Sequence, residues 1–287
     1  MKRGILGLMM VLFVCTWASA ESSVWKVQKD KNVIYLGATF HLLRQTDYPL
    51  PPEFDEAYRA SDMLVFETDM LKLIDPSTQQ MLLAKSMYTD GSTIADHLSA
   101  GTYAELSAYC DSIGIPLKVL KQFRPSMLME TLTAMELLKL GVTQQGVDMY
   151  YYGKAVKDHK KVEGLETVEE QIDKFISAAD GKEDDYVRHS LDDMKTVKEL
   201  FEHFAYAWRK GDESKMSELM VSEFKGKQPS LYRKLVTDRN NKWLPQIEAY
   251  INTPETEFIL VGAGHLVGPT GIIEDLRNKG YLVDQLH

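Results

Sequence analysis

The apolar positions of this chain gather in short runs, and near both ends of the sequence such a run leads into glycine and then histidine. Phe258-Ile-Leu-Val261 has the length of a buried strand and is followed at once by Gly262-Ala-Gly-His265. Val33-Ile-Tyr-Leu36 repeats the pattern and is followed by Gly37-Ala-Thr-Phe-His41. In an open α/β sheet the ligand crevice lies beyond the C-terminal ends of the strands. If these two strands are neighbours, both imidazoles open onto one crevice.

The pattern between them predicts the other elements. Val24–Gln28 and Val33–Leu36 flank the polar Lys29-Asp-Lys-Asn32 and read as a hairpin. Prolines start a short helix over Glu53–Ala60, and Met63–Asp69 is the next strand. That strand ends in Glu67 and Asp69, so its carboxylates emerge at the same edge as His41. From Leu71 to about Lys157 the periodicity is mostly helical, with helices over Ser77–Met87, Tyr103–Ser112 and Pro125–Leu140 and a short strand at Pro116–Leu120.

Gly146-Val-Asp148 opens a further helix, and Lys161–Glu166 is a strand whose end carries Glu166, in a site or on a solvated surface. Thr167 and Glu170 form a capping box for a helix to Ala178. Asp180–Asp185 is an acidic turn. Val197, Phe201, Phe204 and Trp208 make a core-facing stripe, with His203 on another side. Leu231–Ile251 is a long helix adjusted at Pro245, and it carries Asp238-Arg-Asn240. A helix from Thr270 to Asn278, a stop at Gly280 and a strand over Tyr281–Asp284 close the chain. The fold class is therefore α/β: a central sheet with strand-Gly-His motifs near both ends and a large, mostly helical insertion over about residues 71–250.

The N-terminus stands apart from this pattern. Lys2 and Arg3 precede an apolar run over Ile5–Val14, and Ala18-Ser-Ala20 is a small-residue cleavage site, so residues 1–20 read as a secretory signal peptide. A lipid anchor at Cys15 is the rival reading, against which Val14 stands where a small residue is expected. No later run reaches the ~20 apolar residues of a membrane span. The expected product is a periplasmic or secreted chain without a span, beginning at Glu21.

Beyond the signal there are 31 basic and 42 acidic residues, a net charge of −11 that has the wrong sign for a nucleic-acid partner. Cys110 is then the sole cysteine, which excludes an intrachain disulfide and a Cys-based metal site; beside Leu106 and Ile113 it reads as a buried thiol. Met127, Met129 and Met135 read as core, with an adaptable peptide groove as the alternative. His97, His159, His189 and His287 lie in polar or terminal settings and read as surface residues.

In order and spacing, Tyr35-Leu-Gly-Ala-Thr-Phe-His41, Pro49-Leu-Pro51, Phe66-Glu-Thr-Asp69, Gly146-Val-Asp148, Gly164-Leu-Glu-Thr167 with Gln171, Arg239-Asn240 and Val261-Gly-Ala-Gly-His-Leu-Val-Gly268 resemble the TraB/GumN family, which includes the Tiki-type proteins. Members are similar in carrying two G-x-x-H motifs and an acidic residue on the strand after the first. The second motif is met by Gly262 and His265; in the first, Ala38 stands three before His41 and Gly37 one earlier. Alanine suits that position if its φ is negative. The resemblance implies an α/β fold with a helical insertion and, for Tiki-type members, a metal-dependent peptidase. Other members are associated with peptide pheromones or polysaccharide genes, and the wider superfamily resembles an esterase and a haem-binding protein.

Residue chemistry points the same way. Two imidazoles and a carboxylate bind a divalent cation and leave positions open, which makes His41, Glu67 and His265 the expected ligands of Mn, Co or Zn. Glu67, Glu166 and Arg239 are the expected catalytic residues: Glu166 as general base on a water, and Arg239 to stabilise an oxyanion or hold a substrate carboxylate. The expected partner is a peptide or small-molecule substrate. The alternative is a non-catalytic binding module for a peptide, pheromone or haem-like ligand, since paired histidines also hold haem iron.

Overall fold

A computed structural model describes residues 22–143 and 145–287; the expected signal peptide and Cys15 lie outside the described residues. Six strands form one mixed sheet: β1 (Val24–Lys29), β2 (Asn32–Thr39), β3 (Met63–Thr68), β4 (Lys161–Glu166), β5 (Glu257–Gly262) and β6 (Leu282–Gln285). Their spatial order is β4-β3-β5-β2-β1-β6. The first four in that order are mutually parallel, while β1 runs antiparallel to both β2 and β6.

Parallel strands covered on both faces read as unbroken apolar runs. Accordingly Phe258–Val261 are all buried, as are Met63–Phe66. The β1–β2 hairpin turns at Asp30, whose φ of 53° is the left-handed conformation that aspartate tolerates better than most residues. Ala38 lies inside β2 opposite Val261 and is not among the residues of positive φ, so the alanine in the first motif is accommodated without strain.

The helices cover the sheet with the faces their periodicity dictates. Val147, Tyr151 and Ala155 of the Val147–Lys157 helix are buried, as are Trp243, Ile247 and Ile251 of the Asp238–Ile251 helix, each set at a four-residue spacing. Trp208, the last residue of the predicted stripe, donates from Nε1 to the Ala38 carbonyl at 2.8 Å and so ties its helix to β2. The stretch between β3 and β5 leaves the sheet twice, returning between times as β4. The two excursions together build a second apolar core, with Ile94, Leu106, Cys110, Leu128 and Met129 from the first and Val187 from the second, separate from the core around the sheet. Met129 belongs to that core, and Met127 and Met135 on the same helix are partly buried.

Two expectations are corrected. Pro116–Leu120 is no strand: Val119 and Leu120 donate back to Pro116 and Leu117, closing a 3-10 turn over Leu117–Val119, which buries Leu117 alone of the turn and meets no free sheet edge. The helix expected over Leu231–Ile251 runs unbroken from Pro229, but its irregularity is a π-type turn over Arg233–Thr237 and not at Pro245, which lies within the α-helix Asp238–Ile251. Such widened turns concentrate near functional positions, and this one delivers Arg239.

Candidate functional site

Register brings the strand ends together. Thr39 pairs with Gly262, Phe66 with Leu260 and Thr68 with Glu166, so the residues that follow in β2, β3, β4 and β5 emerge along one edge. His41, Glu67, Glu166 and His265 all lie on that edge. A Cβ at position 262 would fall 3.1 Å from Glu67 Oε1, 3.6 Å from His41 Nε2 and 3.7 Å from His265 Cδ2. Three functional groups thus border one point of backbone that only glycine leaves clear.

The two histidines are held differently. His41 Nδ1 lies 3.0 Å from Asp148 Oδ1, in the first turn of the Val147–Lys157 helix. Gly146 makes this approach possible, because a Cβ there would sit 2.2 Å from the His41 carbonyl oxygen. The His41 side chain is 60% exposed. The Asp148 charge raises its pKa to about 9, against a partial loss of solvation and with a further contribution from the hydrogen bond that Nδ1–H donates to the same carboxylate, so it carries a proton at neutral pH.

His265 lies in a helical turn over Ala263–Leu266 and is buried. Its Nδ1 is 2.7 Å from Asn240 Oδ1, while Asn240 Nδ2 donates to the carbonyls of His265 and Thr270, both at 3.0 Å. With the amide so oriented, Nδ1 carries the hydrogen and Nε2 presents a lone pair. Arg239 Nη1 donates to that lone pair at 3.0 Å. Burial pushes the His265 pKa down to about 3; Glu67 opposes the shift and Arg239 adds to it.

The carboxylates converge on Arg239. Its Nη2 donates at 2.6 Å to Glu67 Oε2 and at 2.6 Å to Glu166 Oε1. Glu67 also accepts from the Gly262 N–H at 2.7 Å and from Gln171 Nε2 at 3.2 Å. Burial acts to raise its pKa, but Arg239, the two histidines and the Gly262 amide outweigh burial and hold it well below the usual carboxylate range. Glu166 is fully buried and its second oxygen accepts from Lys174 Nζ at 2.5 Å. Both of its oxygens are therefore engaged. The guanidinium lies over the Trp243 ring, 4.4 Å from its centroid, and its buried Nε has no partner among the described residues.

The donor set was tested against a divalent cation. In its favour, Glu67 is ionised, His265 is neutral with its Nε2 lone pair inward, and each imidazole has an outer partner on Nδ1, which is how metal-bound histidines are usually oriented. Against it, Arg239 occupies the His265 lone pair, and His41 must lose a proton to ligate. His265 Nε2 and Glu67 Oε1 are 4.0 Å apart, wider than the roughly 3.4 Å of two ligands about 2.1 Å from one tetrahedral ion. Among the described residues, no three acidic, imidazole or thiolate groups form a ready-made metal site. The residues fit a cation in type and orientation, and holding one requires the site to contract as Arg239 releases His265.

Of the five expected site residues, Glu67, Glu166, Arg239 and His265 form one bonded network, and His41, paired with Asp148, borders it at Gly262. Four members of the site had no role assigned from sequence. Asp148, Gln171 and Asn240 lie within the recognised motifs; Lys174 carries only the weak signal of lying three residues after Gln171 on the same helix face.

A parallel-sheet edge with two strand-end histidines, two buried carboxylates and a shared arginine defines an α/β protein with a cluster of ionisable groups at the C-terminal ends of its strands. The chain belongs to the TraB/PrgY/gumN family, which it matches over residues 23–285. Neither the curated proteins nor the solved structures contain a match to it. No helix among the described residues is long and apolar enough to cross a membrane.

Proposed function

We propose that this protein is an exported hydrolase acting on peptides, with the His41–Asp148 pair and Glu67 at its centre. The observation that carries the reading is the convergence of His41 Nε2, ionised Glu67 and neutral His265 around the backbone at Gly262. A divalent cation held by His41, Glu67 and His265 would supply a Lewis acid for the substrate carbonyl and a more acidic water.

The chain's own groups do the remaining work. Asp148 orients His41 and keeps a proton on it; with Nε2 free of a cation that proton can pass to a leaving amine, whereas a cation held on Nε2 would require the proton to leave first. Asn240 fixes the tautomer of His265. Glu166, itself held by Lys174, anchors Arg239, which leaves Glu166 a positioning group. Arg239 holds Glu67 ionised, and on releasing His265 turns an Nη1 donor toward developing negative charge.

One observation favours a second reading, ligand binding without hydrolysis: Arg239 already neutralises both carboxylates and takes the His265 lone pair. A peptide-library cleavage screen, run after chelation and after return of Mn, Co or Zn, separates the two. Chelator-sensitive cleavage abolished by His41→Ala supports the hydrolase; bound peptide that stays intact under every metal supports the binding module. The export reading is checked by intact mass, which should place the N-terminus of the exported form at Glu21.

A further inference from the structure

Beside the polar cluster lies a cavity of about 300 Å³ that the chemistry above does not use. His41, Glu67 and Asp148 are among its lining residues, so it adjoins the proposed reacting groups. Its walls are Phe66, Met70, Leu73, Met149 and Leu260. The volume is at the lower end of the ~300–1,000 Å³ spanned by ligand pockets, enough for one large side chain rather than a whole ligand. Phe66, Met70 and Leu260 are buried, while Leu73 and Met149 are partly exposed and form the adjustable side of the wall. The two methionines give that wall a soft, polarisable surface. Thr39 also lines the cavity, and its buried Oγ1 has no hydrogen-bond partner among the described residues.

We infer that this cavity is a specificity pocket, which takes the large apolar side chain (leucine, methionine or phenylalanine) of the residue flanking the scissile bond of a peptide substrate. The inference rests on the peptide-hydrolase reading, and it adds the substrate class. An apolar side chain seated between Met149 and Leu73 displaces water from the wall and places the adjoining carbonyl at His41 and Glu67. A charged side chain there would be stripped of water against those apolar walls, and an aspartate would also face Glu67 and Asp148, which line the same cavity. Losing even one methylene from such a pocket changes discrimination by roughly 10- to 200-fold.

The test is binding and cleavage of blocked tripeptides, acetyl-Ala-X-Ala-amide, with X as Leu, Met, Phe, Ala, Asp or Lys. Binding is read by calorimetry on the chelated protein and cleavage by mass spectrometry after metal is returned. The large apolar peptides should bind at least about 10-fold more tightly than X = Ala, and Asp or Lys more weakly still. Leu73→Trp should fill the cavity and bring the Leu peptide down to the Ala peptide. Met149→Ala, which removes bulk, should shift preference toward Phe and guards against a Leu73 variant that fails to fold. Equal binding of all six peptides, no binding at all, or a Leu preference that survives Leu73→Trp would overturn the pocket. Preferential binding of intact apolar peptides that no metal converts would uphold the pocket and remove the hydrolase. Cleavage indifferent to X would do the reverse.

Discussion

His41 and His265 arise from the same local pattern, an apolar strand followed by glycine and histidine, and their strands are paired neighbours. The fold nevertheless gives them opposite chemistry. His41 stands in the open against Asp148 and carries a proton up to about pH 9, whereas His265 is sealed between Asn240, Arg239 and Trp243 and stays neutral down to about pH 3. The strand end sets where an imidazole sits; what packs beyond the strand end sets its charge. One site thereby holds a proton donor and a lone-pair donor around Glu67 at the same pH, the division of labour that acid–base chemistry needs.

The contrast depends most heavily on Arg239. Arg239→Leu would leave Glu67 and Glu166 buried and facing each other without their shared cation, at a cost of about 3–5 kcal/mol. Urea unfolding at neutral pH should show this loss, and a change below 1 kcal/mol would mean that the carboxylates find water or other partners. Next in size is the difference between the histidines. His265→Ala strands Asn240 and Arg239 donors and acceptors and should cost about 1–3 kcal/mol. His41→Ala removes an exposed ring and should stay within about 0.5 kcal/mol. Equal melting shifts for the two variants would erase the distinction.

The pH dependence of stability sharpens the contrast further. Between pH 6.5 and 4.5 the unfolded chain protonates His265 and the folded chain does not, so the unfolded state binds more protons and stability falls as pH drops. The slope approaches about 1.4 kcal/mol per pH unit for one such group. His265→Gln should flatten stability in that window. His41 has the opposite sign: its contribution is complete below pH 6.5 and disappears as pH rises through about 9. The smallest expected effect is that of Asp148→Asn, which should return the His41 pKa toward 6.5 and flatten stability between pH 6.5 and 9 while leaving His265 unchanged.

Much of this was legible in the residues. Strands with apolar runs, the hairpin turn at Asp30, the capping box at Thr167 and the convergence of strand ends follow from period and punctuation alone, because buried parallel strands leave a strong local signature. The short apolar segment at Pro116–Leu120 misled, since four apolar positions suit a strand or a turn equally and only the absence of a neighbouring edge decides. The roles within the site were less legible. Glu166 reads as a free carboxylate at a strand end, and only tertiary structure shows Arg239 and Lys174 closing on its two oxygens. The protonation of His41 depends on a carboxylate 107 positions away, and the tautomer of His265 on an amide 25 positions away. No local pattern records such pairings.

The most direct test of this division is nitrogen-15 NMR titration of the metal-free protein, with the two ring signals assigned through His41→Gln and His265→Gln. The account predicts that His41 remains protonated on both nitrogens until pH approaches about 9, while His265 stays neutral with its hydrogen on Nδ1 to about pH 3. Two rings titrating together near pH 6.5 would contradict it.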